Sequence, residues 1–485
     1  MKSNSMLSKL SVAVCAVALV SLKAAQSATV FPIVTNNADT CAGFATDGTN
    51  YLIGIQGDFV TNDEYQITAQ LIGPTGALIG SRISPVPGHT GGNPYVACSG
   101  SNYLMAWPDD YLNGNQSSIS AQLVSLSGGL IGGMIAITAN SAQELDAVAY
   151  GGGKDLVLWN DYSNGTNWDI YGQIVSAGGA MVGGNFFISA PVNGQRNQGA
   201  SAAFDGTNFL VVWQFASATN HYVTYGVFIS PAGVVGTPFA IGQTVSPTTV
   251  AHAGGIPIFN GTNYFVVWPY NSGLGGTNPP IWNVYGRFVT RAGSFPGNEF
   301  PIVTNGNPIY SFPAFDGANY LLCWNQNFGT TNSDVYSQFL NASGQPIGCQ
   351  FTPFTAQGSE VPLFAIPIYD GKRFVSIATL SAGGFTPTTA TNNAGIYTNN
   401  AGVYGEFIPA STTPPQFGTG ASYGNKQFSL SLAGTPGINY AIQAATNLPS
   451  SNWMPLVTNS PTNGTFTFTD TGATNRSRFY RAVKQ

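Results

Sequence analysis

A short segment built on a glycine turn recurs seven times along this 485-residue chain, and that periodicity limits the fold more than any other feature of the sequence. The copies centre on Asp47-Gly48-Thr49-Asn50, Ser99-Gly100-Ser101-Asn102, Gly151-Gly152-Gly153-Lys154, Asp205-Gly206-Thr207-Asn208, Asn260-Gly261-Thr262-Asn263, Asp316-Gly317-Ala318-Asn319 and Asp370-Gly371-Lys372-Arg373. The second position is Gly in every copy, with steps of 52, 52, 54, 55, 56 and 54 residues between them. Asp-Gly or Asn-Gly between two apolar stretches is a strong hairpin signal, because a tight turn needs positive φ and Gly supplies it without steric cost. An aromatic follows in six copies (Tyr51, Tyr103, Phe209, Tyr264, Tyr320, Phe374), then an apolar run that ends in Trp107, Trp159, Trp213, Trp268 or Trp324 in five. A continuous apolar run of strand length reads as a strand buried on both faces.

Each copy is followed by a second recurring strand with one column that stays small: Ala69, Ala121, Gly172, Gly226, Gly286, Ser337 and Gly405. A small residue held on a strand marks close approach by a neighbour. In the first six units a glycine turn and a short outer strand come next, so each unit holds four strands. Four-stranded units of this length predict a β-propeller. Residues 29–413 divided among seven units give 55 residues each, matching the observed step, and the reading is a seven-bladed propeller. The seventh unit lacks an outer strand. Phe31–Asn36 repeats Phe300–Asn305, the outer strand of the fifth unit, letter for letter, which predicts that the N-terminal strand closes the ring and leaves no sheet edge open.

Composition agrees. Only 7 % of residues are charged, against about 25 % in an average soluble protein, and 43 % are hydrophobic. Long exposed helices need more Lys, Glu and Arg than this. The fold class is therefore all-β. After Pro414-Pro415 the repeat stops, and residues 414–485 alternate apolar and polar positions in strands sufficient for one small β-sandwich.

Lys2 and Lys9 precede an apolar run from Leu10 to Leu22, then Ala24, Ala25, Ser27 and Ala28. Residues 1–28 thus read as a secretory signal peptide cut after Ser27 or Ala28, and no other segment reads as a transmembrane span. The expected location is secreted or extracytoplasmic. Removing the leader takes three lysines and no acids, leaving 12 basic and 20 acidic groups. With no basic stretch before Arg476, Arg478, Arg481 and Lys484, which read as a solvated terminus, nucleic acid is excluded as a partner. The leader also removes Cys15; Cys41, Cys98, Cys323 and Cys349 read as small buried apolar groups rather than a disulfide scaffold.

The seven-unit part resembles bacterial extracytoplasmic propellers, whose activities are mostly unassigned. The run from Tyr440 to Leu448, Trp453, Phe466–Asp470 and Arg478–Ala482 resembles a C-terminal module of many secreted bacterial proteins. That resemblance implies a secreted multidomain protein, with retention at the cell surface an open alternative, and implies no reaction.

Motifs for chemistry are sparse. The Asp-Gly-Thr-Asn turn lacks the alternating oxygen ligands and final bidentate acid of a calcium loop, and the likeness of Asp205 to Trp213 to a sialidase Asp-box is superficial. No nucleophile elbow, P-loop, HExxH or CxxC is present. His89, His221 and His252 are too few and dispersed for a metal site, and no cofactor is expected. In a propeller, the loops into the inner strands and those after each second strand surround one mouth of the channel. Counting back 6 to 11 residues from the Gly column puts Glu144, Asp146, Arg196, His252 and Glu360 there. Glu144, Asp146, His252 and Glu360 are the candidate polar contacts, with Trp168 and Trp282 as stacking platforms for sugar rings. The functional expectation is a binding or scaffold protein for polysaccharide or a cell-surface protein. The alternative is a carbohydrate-active enzyme, a glycoside hydrolase or polysaccharide lyase, using rim acids.

Overall fold

A computed structural model describes residues 30–35, 39–60, 64–86, 91–109, 118–139, 143–163, 168–189, 197–217, 221–242, 254–271, 282–304, 308, 310–326, 334–354, 360–382, 401–409, 416–417, 422–424, 427–433, 440–446, 453–459, 465–472 and 478–484. Among these residues there is no helix, and so none long and apolar enough to cross a membrane. Seven antiparallel four-stranded sheets use the chain between Phe31 and Pro409.

Sheet one runs through Thr40–Thr46, Tyr51–Val60, Glu64–Ile72 and Leu78–Ile83, and sheet two through Tyr95–Cys98, Asn102–Asp109, Ser118–Ser125 and Leu130–Ala136. Sheet three holds Gln143–Gly151, Lys154–Asp161, Asp169–Ser176 and Met181–Ser189; sheet four holds Asn197–Phe204, Phe209–Ser217, His221–Ile229 and Phe239–Ala240. Sheet five is Ile256–Phe259, Asn263–Asn271, Trp282–Thr290 and Phe300–Val303, and sheet six Ser311–Phe315, Tyr320–Gln326, Asp334–Leu340 and Pro346–Phe351. Sheet seven takes Glu360–Tyr369, Arg373–Ala382 and Ala401–Pro409 from the end of the repeat and its outer strand, Phe31–Val34, from the beginning. The inner strand of each sheet lies against that of the next, and the second and third strands of sheet seven lie against the inner strand of sheet one. This is a β-propeller.

The apolar second strands explain the stacking. In sheet one, Ile53 and Ile55 pack toward sheet seven with Val375, Ile377 and Val403, while Leu52 packs toward sheet two with Val96, Tyr103 and Met105. Both faces of the strand are dry, so alternation is not required of it. Trp107, Trp159, Trp213, Trp268 and Trp324 are buried between sheets. At the hairpin, Gly48 takes φ +89° and the Asp47 carboxylate accepts the amides of Thr49 (2.7 Å) and Asn50 (2.6 Å). Asp205, Asn260, Asp316 and Asp370 accept the same pair of amides in their own turns. These side chains serve turn geometry.

Two columns stitch the sheets. The aromatic after the turn reaches back to the previous sheet: Tyr103 Oη donates to Asn50 O (3.3 Å), Tyr264 Oη to Asn208 O (2.9 Å), and Tyr320 Oη accepts from Asn260 Nδ2 (2.8 Å). The residue after the small column is Gln70, Gln122, Gln173 or Gln338 in sheets one, two, three and six. Each Nε2 donates to two carbonyls, one on its own strand and one on the outer strand, at Ile79, Ile131, Val182 or Ile347. The amide thereby bridges the bulge that separates the two outer strands. The N-terminal strand closes the ring in the register of sheet five: Phe31 pairs with Gly405 and Pro32 with Tyr404, as Phe300 pairs with Gly286 and Pro301 with Tyr285. The small column is needed here, since an added Cβ on Gly405 would overlap the Phe31 ring.

Beyond the propeller strands, Gln427–Ala433 pairs with Gln416–Phe417, Ser422–Gly424 and Thr465–Asp470, and a second sheet runs Met454–Asn459, Tyr440–Ala445, Phe479–Lys484. They share one core of Phe428, Leu430, Leu432, Tyr440, Ile442, Phe468 and Tyr480. The terminal bases are not simply solvated: Arg478 pairs with Asp470 at 2.6 Å, and Arg481 lies 4.4 Å over the Trp453 ring. Both side chains are drawn down by partners that no spacing rule in the sequence connects. Cys41, Cys98 and Cys323 are free thiols, the first and last buried; the Cys349 side chain lies outside the described residues.

Candidate functional site

The inner strand of sheet three slips its register between Leu145 and Ala147, leaving Asp146 as the extra residue of a bulge. Its carboxylate accepts from Asn160 Nδ2 (3.0 Å) on its own sheet and from the Ala200 amide (3.1 Å) on the inner strand of sheet four. That strand also slips, between Gln198 and Ser201. Asp146 therefore ties one bulge to the next. Burial and the neighbouring Glu144 charge raise its carboxyl well above the ordinary range, opposed by the Ala200 amide.

Glu144 stands two residues before Asp146 and is half-buried. Its charge is felt by Tyr95 of sheet two and by Tyr310, which leads into the inner strand of sheet six; both phenols are pushed up, chiefly by burial and then by acidic neighbours. Sheets three and six are not neighbours in the ring, so the influence of Glu144 on Tyr310 acts across its axis. Tyr310 is positioned by its amide, which donates to Asn325 Oδ1 (2.8 Å). Its ring lies 6.5 Å from Phe312 and 6.2 Å from Phe364 of sheet seven, and Phe312 and Phe364 are 6.5 Å apart. One end of the channel thus has Glu144 and Asp146 on one wall and the three-ring group of Tyr310, Phe312 and Phe364 on another.

The second strand of sheet three ends at the same mouth. There Tyr162 and Trp168 stack at 5.0 Å with planes 28° apart, both half-buried. Asp161, which precedes the pair, accepts from the Ser163 amide (2.7 Å) and from Gln143 Nε2 (3.0 Å); the Asn197 amide donates to Trp168 O (3.3 Å). The pair is anchored on both sides by backbone.

Of the residues singled out from the sequence, the structure brings together Glu144 and Asp146, with Trp168 just ahead of the third strand of the same sheet. Trp282 opens the third strand of sheet five, opposite Asn271, and is 8 % exposed. Glu360 opens the inner strand of sheet seven opposite Ala382, with its side chain outside the described residues, and His252 lies outside them altogether. Sequence reasoning missed Tyr95, Tyr310, Phe312 and Phe364. Tyr310 falls in the window that selects Glu144, seven residues before Gly317, but it is not among the charged residues of that window. Tyr95 and Phe312 sit five residues before Gly100 and Gly317, just inside the strand. Among the described residues, no three His, Cys, Asp or Glu side chains gather as a metal site.

No protein-family model matches the chain, and no curated protein does. Solved structures with similar folds include the β-propeller domain of the trilobed protease of Pyrococcus furiosus (9 % identity, 71 % of this chain and 91 % of that one, TM-score 0.41). Another is the hydrazine synthase of Kuenenia stuttgartiensis (12 %, 72 % and 95 %, 0.44), and a third the α-L-arabinofuranosidase of Fusarium graminearum (13 %, 66 % and 92 %, 0.43). At such identities nothing about activity carries across.

Proposed function

We propose that this chain is an exported seven-bladed β-propeller followed by a small β-sandwich, and that it works as a binding or scaffold protein for polysaccharide or a cell-surface protein. Of the two, polysaccharide is the ligand class this mouth favours. The observation that carries it is the half-buried Tyr162–Trp168 pair beside Asp161 at the channel mouth. A sugar offers an apolar ring face to stack and hydroxyls to hydrogen-bond, and aromatics set among carboxylates and amides answer both.

The enzymatic alternative needs two carboxyl groups flanking a scissile bond, roughly 5 to 10 Å apart. Asp146 is a poor member of such a pair, because both its oxygens already accept hydrogen bonds from its own and the next sheet. Binding is therefore the favoured reading. Titration calorimetry of the mature chain against a panel of soluble polysaccharides tests it: a hit that Trp168→Ala abolishes supports it, and no hit anywhere on the panel removes it in favour of a protein partner. Turnover on the same panel, lost in Glu144→Gln or Glu360→Gln, would replace binding by catalysis.

A further inference from the structure

Asn160 is 2 % exposed, and its Oδ1 has no hydrogen-bond partner among the described residues. It lies on the second strand of sheet three directly opposite Glu144 of the inner strand, so the two side chains share one face of the sheet. Its Nδ2 is already given to Asp146 Oδ1 (3.0 Å), and Asp146 Oδ2 takes the Ala200 amide (3.1 Å). An amide oxygen and two carboxylates are thus gathered at one point, and in their ionised state all of them accept. Crowding acceptors together away from water is costly. Asp146 shows that cost, since burial and the Glu144 charge both raise its carboxyl.

The surrounding sheets bring no counter-charge among the described residues. Tyr95 of sheet two and Tyr310, ahead of the inner strand of sheet six, feel the Glu144 charge, and both phenols are neutral at pH 7. Sheet four offers the Ala200 amide. Of the described Lys and Arg of the propeller, Arg82 pairs with Asp39, and Arg287 donates to the carbonyls of Ile241 and Gly297. Lys154, Arg291, Lys372 and Arg373 belong to the hairpin-turn end, away from this mouth.

Such a point calls for a positively charged donor carried by a ligand. Two carboxylates and one amide oxygen fill less than half of the oxygen shell a hard metal ion takes, whereas an ammonium has three N–H bonds to give. The next wall of the mouth also suits a carbon-borne cation: the rings of Tyr310, Phe312 and Phe364 lie 6.2 to 6.5 Å apart and are only half-buried. We propose that this mouth takes a protonated amino group on a sugar unit of the bound polysaccharide, with Glu144 and Asp146 as counter-charges and Asn160 Oδ1 as acceptor. The proposal rests on the polysaccharide reading and narrows it to glycans with free amino groups. An N-acetylated unit brings one N–H and no charge. A uronate unit brings a charge of the same sign as Glu144 and Asp146. Tyr162 of the stacking pair follows Asn160 by two residues, about 7 Å along the chain, so the amine site and the aromatic platform adjoin.

The test is calorimetric titration of the mature chain at pH 7 with soluble oligomers of glucosamine, of N-acetylglucosamine and of glucose. The glucosamine oligomer should bind about tenfold or more tightly than the other two, the gain expected of hydrogen bonds to a charged group. Glu144→Gln keeps the shape and removes the charge, and should bring the three within about threefold of one another. An amine that gains a partner is charged below about pH 8, its ordinary value, and loses its proton as pH rises through the bound value. The preference of the wild-type chain should therefore vanish by pH 10, a readout that needs no variant and holds even if Glu144→Gln fails to fold. Equal affinity for the three oligomers, a preference that persists at pH 10 or one that survives in folded Glu144→Gln overturns the amino-group site. Binding of another polysaccharide without the glucosamine oligomer overturns it too and leaves the polysaccharide reading standing, whereas silence across the whole panel removes both.

Discussion

The Tyr51 hydroxyl donates to the Asp370 carboxylate at 2.5 Å, joining the first repeat to the turn of the last across 319 residues of sequence. It repeats at the ring's seam the link that Tyr103, Tyr264 and Tyr320 make between consecutive sheets. Burial alone would raise the Asp370 carboxyl, but the Tyr51 hydroxyl, the Arg373 and Lys372 amides and the Arg373 charge hold it below the ordinary range. Tyr51→Phe should remove about 1 to 2 kcal/mol of stability in urea unfolding at pH 7. A depressed carboxyl contributes stability that is present above its unfolded value and lost as pH falls through its folded one. The deficit of the variant should therefore narrow in acid, as both proteins lose the ionised acceptor.

Closure also depends on the missing side chain at position 405. Gly405→Ala should force the Phe31 ring out of its place, costing about 1 to 3 kcal/mol. Phe31→Ala should cost a similar or larger amount by leaving a cavity among Tyr51, Ile377 and Phe407. Because the two groups contest one space, the double variant should be more stable than the sum of the single losses implies, by denaturant titration. Strict additivity would mean that the N-terminal strand does not seat on Gly405.

Asp155 stands in sheet three where six repeats have Tyr or Phe, and neither of its carboxylate oxygens has a hydrogen-bond partner. Burial pushes its carboxyl up to about 7. A folded value above the unfolded one means that stability is full below about pH 4 and is lost as pH rises toward 7. Asp155→Asn should flatten that part of the stability profile and melt higher than wild type at pH 8, with a ceiling of about 4 kcal/mol for a shift of this size. A parallel loss in both proteins between pH 4 and 7 would place the titration elsewhere.

The turns, the dry second strands and the closing strand were legible because each follows from local pattern: Gly48 at positive φ, the apolar run from Leu52, and the match between Phe31–Asn36 and Phe300–Asn305. What local pattern cannot carry is the partner across a sheet boundary. Tyr51, Tyr103, Tyr264 and Tyr320 form a visible column, yet nothing in their spacing says that each hydroxyl reaches the previous turn. Gln70, Gln122, Gln173 and Gln338 are equally visible, and their role depends on a bulge set by strand pairing. At the channel mouth, position along the chain found Glu144 and Asp146 but could not tell a bulge brace from a ligand contact. Nor could it show that Tyr310, from a sheet across the ring, feels the charge of Glu144.

Trp168 and Trp282 were equivalent as sequence, both aromatic and both beside the loop that follows a second strand, and the structure separates them. Trp282 opens a strand and is buried, so Trp282→Ala should cost about 3 to 5 kcal/mol by opening a cavity at sheet five. Trp168 is half-buried and stacked on Tyr162 with its backbone carbonyl held by Asn197, so truncation removes ring surface while the loop keeps its anchor. Trp168→Ala should leave the melting temperature within about 2 °C of wild type and weaken polysaccharide binding by roughly tenfold or more, the loss expected of a stacked aromatic platform. Thermal melts and calorimetry on the two variants resolve the cases. Intact binding in a folded Trp168→Ala protein would move the ligand away from this pair, toward the aromatic group of Tyr310, Phe312 and Phe364.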